Sequence, residues 1–166
     1  MSDVTIRPDA TPEDIIPQLH ALLDESDPPL TVMANVASLL YWSLDGINWI
    51  GFYLLDGDTL RLGPFHGKPA CSEIARGRGV CGTAVEKSSM LNVPDVESFP
   101  GHIACDAASR SELVIPLLVH GVVRGVLDVD SPVHNRFGLA EEKLFQRAAE
   151  LIAEHIVKWD GRLFPS

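Results

Sequence analysis

Three cysteines, three carboxylates and two aromatic residues are the side chains of this sequence whose types and spacing suit chemistry. Cys71 follows Gly-Lys-Pro-Ala, Cys81 stands between Val80 and Gly82, and Cys105 sits within Gly101-His-Ile-Ala-Cys-Asp106. The thiolate is the nucleophile and the metal ligand, so a cysteine's reactivity follows its exposure and its electrostatic surroundings. Cys105, in a predicted loop, and Cys71, at the opening of a predicted helical turn, are the candidate reactive thiols. Cys81, in its apolar setting, reads as a buried one. No Cys-x-x-Cys pair occurs and no histidine stands at finger-like spacing, which speaks against a structural zinc site. His66 and His102 are the histidines able to join the thiols in space.

The carboxylates are Glu112, Asp128 and Asp130. In Gly125-Val-Leu-Asp-Val-Asp-Ser-Pro132 the two aspartates are two residues apart, so a strand points both to one face and turns Leu127 and Val129 to the other. Glu112 opens the partner strand and reaches the same end of the sheet. Acids at a strand end are ordinarily solvated, but the run Leu113-Val-Ile-Pro-Leu-Leu-Val119 implies a buried sheet here. Such a group could hold a substrate ammonium by charge-assisted hydrogen bonds, and a carboxyl of raised pKa could donate a proton to a leaving oxygen. An acidic site opposes thiolate formation, which counts against a simple cysteine hydrolase. It suits a reaction in which an S=O oxygen is protonated while a thiol attacks sulfur. Trp49 and Tyr53 are four apart on one strand and share a face. Their default place is the core, although their polar tips suit a pocket wall.

The elements that must position these groups are legible in outline. Thr11 caps a helix with Pro12 at its first position and Glu13 and Asp14 near its positive end. Pro17 is a flaw in that helix, which is therefore expected to be short or to start nearer Pro17. Asp27-Pro28-Pro29 breaks the chain, and Leu30 to Trp42 has helical apolar spacing. Asn48 to Asp56 and Thr59 to Phe65 read as strands joined across Asp56-Gly57-Asp58. Short helices are expected over Glu73 to Arg76 and Gly82 to Lys87, then a long, mostly loop stretch from Ser88 to Ser111 that could cover a site. Glu112 to Val119 and Val122 to Ser131 form a hairpin, and Leu139 to Trp159 a long amphipathic helix. Hairpins without βαβ crossovers predict an α+β domain, a central antiparallel β-sheet with helices packed on it.

With 166 residues, 46% of them hydrophobic, the chain suits one domain with a sizeable core. Its net charge of −10, with scattered basic residues, disfavours nucleic acid and anionic membrane surfaces as partners. No apolar run reaches membrane-spanning length, and the acidic N-terminus does not resemble a secretory signal. The expected compartment is the cytoplasm, where thiols stay reduced and three cysteines cannot all pair internally.

Several blocks occur in one order: Asn48-Trp-Ile-Gly-Phe-Tyr-Leu-Leu55, Gly63-Pro-Phe-His-Gly-Lys-Pro-Ala-Cys71, Gly77-Arg-Gly-Val-Cys-Gly82 and Asn92-Val-Pro-Asp95. His102-Ile-Ala-Cys-Asp106, Ser109-Arg-Ser-Glu112 and Gly125-Val-Leu-Asp-Val-Asp-Ser131 follow. From about Leu30 to Trp159 the chain closely resembles the free methionine-(R)-sulfoxide reductases, which are stand-alone GAF domains. The resemblance implies a single GAF domain with a core of about 30–159 and an N-terminal helical extension at 11–26. It implies that Cys105 attacks the sulfoxide sulfur and becomes a sulfenic acid, that Cys71 resolves it to a disulfide, and that Cys81 relays or substitutes in recycling. Glu112, Asp128 and Asp130 would grip the free amino acid and assist proton transfer, with Trp49 and Tyr53 around its methyl group. No cofactor is expected to be bound. Thioredoxin, supplied by NADPH through thioredoxin reductase, would be the electron donor, and a homodimer is the expected assembly. The competing reading is a GAF module that senses a small ligand without catalysis. A structural or interaction protein, with these acids and aromatics as plain surface and core, is a third.

Overall fold

The computed structural model describes residues 4, 7, 10–103 and 106–159. Helices α1 (Pro12–Ala21) and α2 (Pro29–Ser43) lead into strands β1 (Trp49–Asp56), β2 (Thr59–Gly67) and β3 (Glu73–Ala75). Helix α3 (Gly79–Lys87), strand β4 (Leu91–Val93), the hairpin of β5 (Ser111–Val119) and β6 (Val122–Ser131), and helix α4 (Leu139–Lys158) complete the order. The strands form one sheet in the order β3-β2-β1-β6-β5-β4, and every neighbouring pair is antiparallel. The expected α+β architecture is present.

Alternation along the central strands gives the sheet two unlike faces. Ile50 and Phe52 of β1, Leu113, Ile115 and Leu117 of β5, and Leu127 and Val129 of β6 join one apolar core with α1, α2 and α4. Trp49 and Tyr53 of β1, Val114 of β5 and Val126 of β6 join a second cluster with Val80, Ala84 and Val85 of α3. Glu112, Asp128 and Asp130 alternate onto that second face.

Local chemistry explains most boundaries. Thr11 and Asp14 form a reciprocal capping box, so α1 starts at Pro12 and runs through Pro17 to Ala21. The doubt attached to Pro17 is resolved in favour of the full helix, with Ile15 and Leu19 buried against α4 and its neighbours. Opposite β1, strand β2 shifts register between Gly51 and Tyr53, where Gly63-Pro64 lies. Proline cannot donate to the ladder, and an irregularity is where a sheet tolerates it.

Two expectations fail. Glu73 to Arg76 is not a helix: Glu73, Ile74 and Ala75 pair with Arg61, Leu60 and Thr59 as an edge strand. Four residues cannot offset the cost of helix nucleation, whereas an exposed edge supplies hydrogen bonds at once. The stretch from Ser88 to Ser111 is mostly loop among its described residues, as expected, although Leu91 to Val93 adds to β5 as β4 and Val96–Ser98 is a 3-10 turn. Helix α3 also begins at Gly79 rather than Gly82, which places Cys81 inside its first turn.

Candidate active site

The register of three strands assembles the site. Across the sheet Glu112 pairs with Asp130 and Asp130 with Trp49, while Val114 pairs with Asp128 and Asp128 with Gly51. Two adjacent rows thus carry all three carboxylates beside the indole, on the face that α3 covers. The indole fits because residue 51 is glycine: a Cβ there would come within 2.6 Å of the Trp49 ring and 2.4 Å of the Phe65 Cβ. Trp49 stacks between Tyr53 and Phe65, with ring centroids 5.9 and 5.4 Å away. Its Nε1 donates to the Lys68 carbonyl at 3.0 Å, and the Tyr53 hydroxyl donates to the Cys71 carbonyl at 3.0 Å. The aromatic pair is therefore anchored to the segment that carries Cys71.

A cavity opens on this face between Trp49, Tyr53, Cys81, Glu112, Asp128 and Asp130, with His102, Ile103 and Asp106 also on its walls. Its interior measures about 30 Å³ for a water-sized sphere, room for roughly two waters. The Cys81 thiol points at Glu112, Sγ to Oε1 3.9 Å. His102 Nε2 lies 3.5 Å from Glu112 Oε2. Glu112 and Asp128 are each 6% exposed, and the Oδ1 of Asp128 has no hydrogen-bond partner.

Burial sets the electrostatics. It raises Glu112, Asp128 and Asp130 well above the usual carboxylate range, and their mutual repulsion adds to the effect. Burial and then the Asp128 charge push the Cys81 thiol upward, and the same two causes raise Tyr53. Burial lowers His102, so the imidazole beside Glu112 is held neutral. All these shifts favour the uncharged forms, which suits a pocket that donates protons, or that binds a cation in exchange for them. It is a poor place to form a thiolate.

One group beside the site behaves oppositely. The Ala108 N–H, then Lys68 and Asn48, hold Asp106 below the usual carboxylate range. Asn48 Nδ2 donates to Asp106 Oδ2 at 3.2 Å and to Ser109 Oγ at 3.1 Å, and Lys68 Nζ lies 3.3 Å from Asp106 Oδ1. These contacts tie the chain just after Cys105 to the start of β1 and the end of β2.

The expected site residues fare as follows. Trp49, Tyr53, Glu112, Asp128, Asp130 and Cys81 converge on one cavity. The three acids are not a solvated strand end. Cys81 is buried, as read, but it faces the carboxylates rather than plain core. Cys71 does not open a helical turn; it is half-buried, precedes the edge strand β3 and is disulfide-bonded. Among the described residues Cys81 is the free cysteine. Cys105 lies outside the described residues. His66 stacks on Tyr41. Not singled out from sequence were Asn48, Lys68, Asp106 and Ser109, although they lie within or beside the ordered blocks that carry the family resemblance.

The chain is similar to known proteins in sequence and in fold. The GAF domain model matches residues 29–156. The free methionine-R-sulfoxide reductase of Escherichia coli (strain K12) is 51% identical over 139 residues, covering 83% of this chain and 84% of that one. Protein YtsP of Bacillus subtilis (strain 168) is 47% identical over 146 residues, covering 87% and 90%. The structure of free methionine-R-sulfoxide reductase from Neisseria meningitidis in complex with its substrate superimposes with a TM-score of 0.89 at 35% identity, covering 97% and 99%. Among the described residues, no helix is long and apolar enough to cross a membrane.

Proposed function

The chain belongs to the GAF domain family and, within it, to the free methionine-R-sulfoxide reductases, and from that premise we propose how its own residues reduce free L-methionine-(R)-sulfoxide to L-methionine. The observation that carries the reading is the buried carboxyl cluster beside Trp49 and Tyr53. The free amino acid brings an α-ammonium group that three crowded acids lack. A peptide-linked residue would leave a carboxylate unpaired, at a cost of roughly a few kcal/mol. Trp49 and Tyr53 form the apolar wall for the S-methyl group.

Cys105 is the nucleophile. Its sulfur attacks the sulfoxide sulfur while a protonated carboxyl of the cluster delivers a proton to the sulfoxide oxygen. Oxygen passes to the cysteine, the S–O bond of the substrate breaks, and the thiol proton returns to the cluster. Methionine sulfur is reduced by two electrons and Cys105 is oxidised to the sulfenic acid. Cys71 then attacks that sulfur, an S–S bond forms and water leaves. The disulfide-bonded state of Cys71 supports its resolving role. Thioredoxin restores both thiols by exchange, drawing on NADPH through thioredoxin reductase. Cys81, hydrogen-bonded to Glu112, serves first to orient that carboxyl. The interior as it stands is too small for the amino acid, so His102 and Ile103 must swing outward to admit it. A cytoplasmic homodimer without a bound cofactor completes the proposal.

The coupled assay with thioredoxin, thioredoxin reductase and NADPH tests this directly. Turnover is expected on the free R-sulfoxide alone. Equal rates on the S form or on a peptide-linked sulfoxide would contradict the carboxyl-cluster argument. Without thioredoxin, mass spectrometry should find a new internal disulfide after one turnover of reduced protein. A ligand-sensing module would leave all three thiols unchanged. Full activity in Cys105→Ser would overturn the mechanism.

A further inference from the structure

Beyond their roles in the proposed reduction, Cys81, Glu112 and Asp128 bring three metal-ligating atoms together. One sulfur and two carboxylate oxygens from these residues all lie within 4.8 Å of one another. They come from three separate elements, α3, β5 and β6, held rigidly by the sheet and the helix packed on it. His102 Nε2, 3.5 Å from Glu112, stands on the same wall outside that trio, where a shift of the ring would make it a fourth donor. The Oδ1 of Asp128 has no partner, and Asp128, 6% exposed, lines the cavity. An unsatisfied buried oxygen of this kind calls for a donor or a cation.

We propose that Cys81, Glu112 and Asp128, completed by His102, bind a divalent cation of the zinc type, which blocks the enzyme reversibly by taking the carboxylates that its substrate needs. The donor set selects the metal. Calcium takes six to eight oxygen ligands and magnesium keeps several waters, and neither favours a thiolate. A mixed sulfur, oxygen and imidazole set suits zinc, whose tetrahedral bonds of about 2.0–2.3 Å put its ligands roughly 3.3–3.8 Å apart. The Cys81 to Glu112 distance, 3.9 Å, is already near that range. The interior of about 30 Å³ holds an ion, which it could not do for a free amino acid. Binding involves no electron transfer. The cation takes the place of the thiol proton and of the carboxyl protons, which leave to water, and two carboxylates and a thiolate then face a dication. The blocking effect rests on the proposed reductase activity, whereas binding of the cation does not.

The test uses the full chain carrying Cys71→Ser and Cys105→Ser, so that Cys81 is its sole thiol. Zinc is titrated against a chromophoric chelator and cobalt is followed by its thiolate charge-transfer absorption. One cation per chain is expected, with the thiolate band present. Adding Asp128→Asn should weaken uptake at least tenfold, and adding Cys81→Ala should remove the band. Absence of stoichiometric uptake, or uptake indifferent to both changes, overturns the site. If Cys81→Ala does not fold, the parent variant decides the matter: zinc should slow alkylation of Cys81, and an unchanged rate overturns the proposal. In the wild-type enzyme a chelator should restore activity lost to zinc, and rising sulfoxide should relieve the loss. Stoichiometric binding without such competition would overturn the blocking role and leave the reductase reading intact.

Discussion

The two faces of the sheet are built from the same three strands yet hold opposite contents. On one, Phe52, Leu113, Ile115, Leu127 and Val129 meet helices α1, α2 and α4 in an apolar layer. On the other, residues one step away in each strand bring Trp49, Glu112, Asp128 and Asp130 together under α3. Because a strand's side chains alternate, a one-residue slip in register would exchange the two layers. The apolar face therefore does more than stabilise. It fixes the register that forces the carboxyls out of water, and its burial offsets their desolvation.

The contrast is sharpest in mutants. Phe52→Ala should cost about 3–5 kcal/mol in urea-induced unfolding while leaving turnover per folded molecule nearly unchanged. A loss of activity far beyond the unfolded fraction would mean that the faces do not divide stability from chemistry. Gly51→Ala sits on the same strand but affects the other face. A new Cβ would meet both Phe65 and the Trp49 ring, so the indole must shift. A loss of about 1–3 kcal/mol is expected, together with a raised KM for the sulfoxide. An unchanged KM would remove Trp49 from the proposed substrate wall.

The faces also differ in how their stability responds to pH. Glu112, Asp128 and Asp130 have raised pKa values, so in the folded state they keep protons that the unfolded chain releases near pH 4. Their contribution is fully present below that pH and is lost as pH rises through the raised values. Each group held protonated should lower stability by up to about 1.4 kcal/mol per pH unit across that window. Asp128→Asn should flatten this slope and match or exceed wild-type stability at neutral pH, while impairing turnover. Asp14, Asp24, Asp95 and Asp106 are lowered and act with the opposite sign, their contribution being lost only as pH falls below the usual carboxylate range. A wild-type profile that stays flat from pH 5 to 8 would show that the cluster is solvated.

What could be seen in the sequence follows the same division. Alternation along β1, β5 and β6 and the 3.6-residue period of α4 are local patterns, so the apolar face and the side on which each acid projects were legible. The fate of the acids was not, because solvation of a strand end depends on α3, whose contact with Glu112 joins residues 31 apart in sequence. Strand β3 was misread for a similar reason: three residues have no period, and only the distant edge of β2 makes them a strand. The Asn48 to Asp106 contact spans 58 residues and leaves no local trace.

That contact yields the finest comparison, between two residues that hold Asp106. Asn48 is half-buried and bridges Asp106 and Ser109 by hydrogen bonds that water cannot easily replace. The Lys68 side chain is 71% exposed, so its ion pair with Asp106 is screened and contributes about 0–1 kcal/mol at most. Asp106 is bonded directly to Cys105, and loosening it should cost reach and orientation of that proposed nucleophile. Asn48→Ala is expected to lower kcat/KM about tenfold, equivalent to about 1.4 kcal/mol, with a smaller effect on unfolding. Lys68→Ala should change it by less than about threefold, and only at low ionic strength. Pre-steady-state trapping of the sulfenic acid would show whether the slowed step is attack on the sulfoxide. Equal defects in the two variants would mean that charge at Asp106, rather than the buried amide bridge, positions the loop.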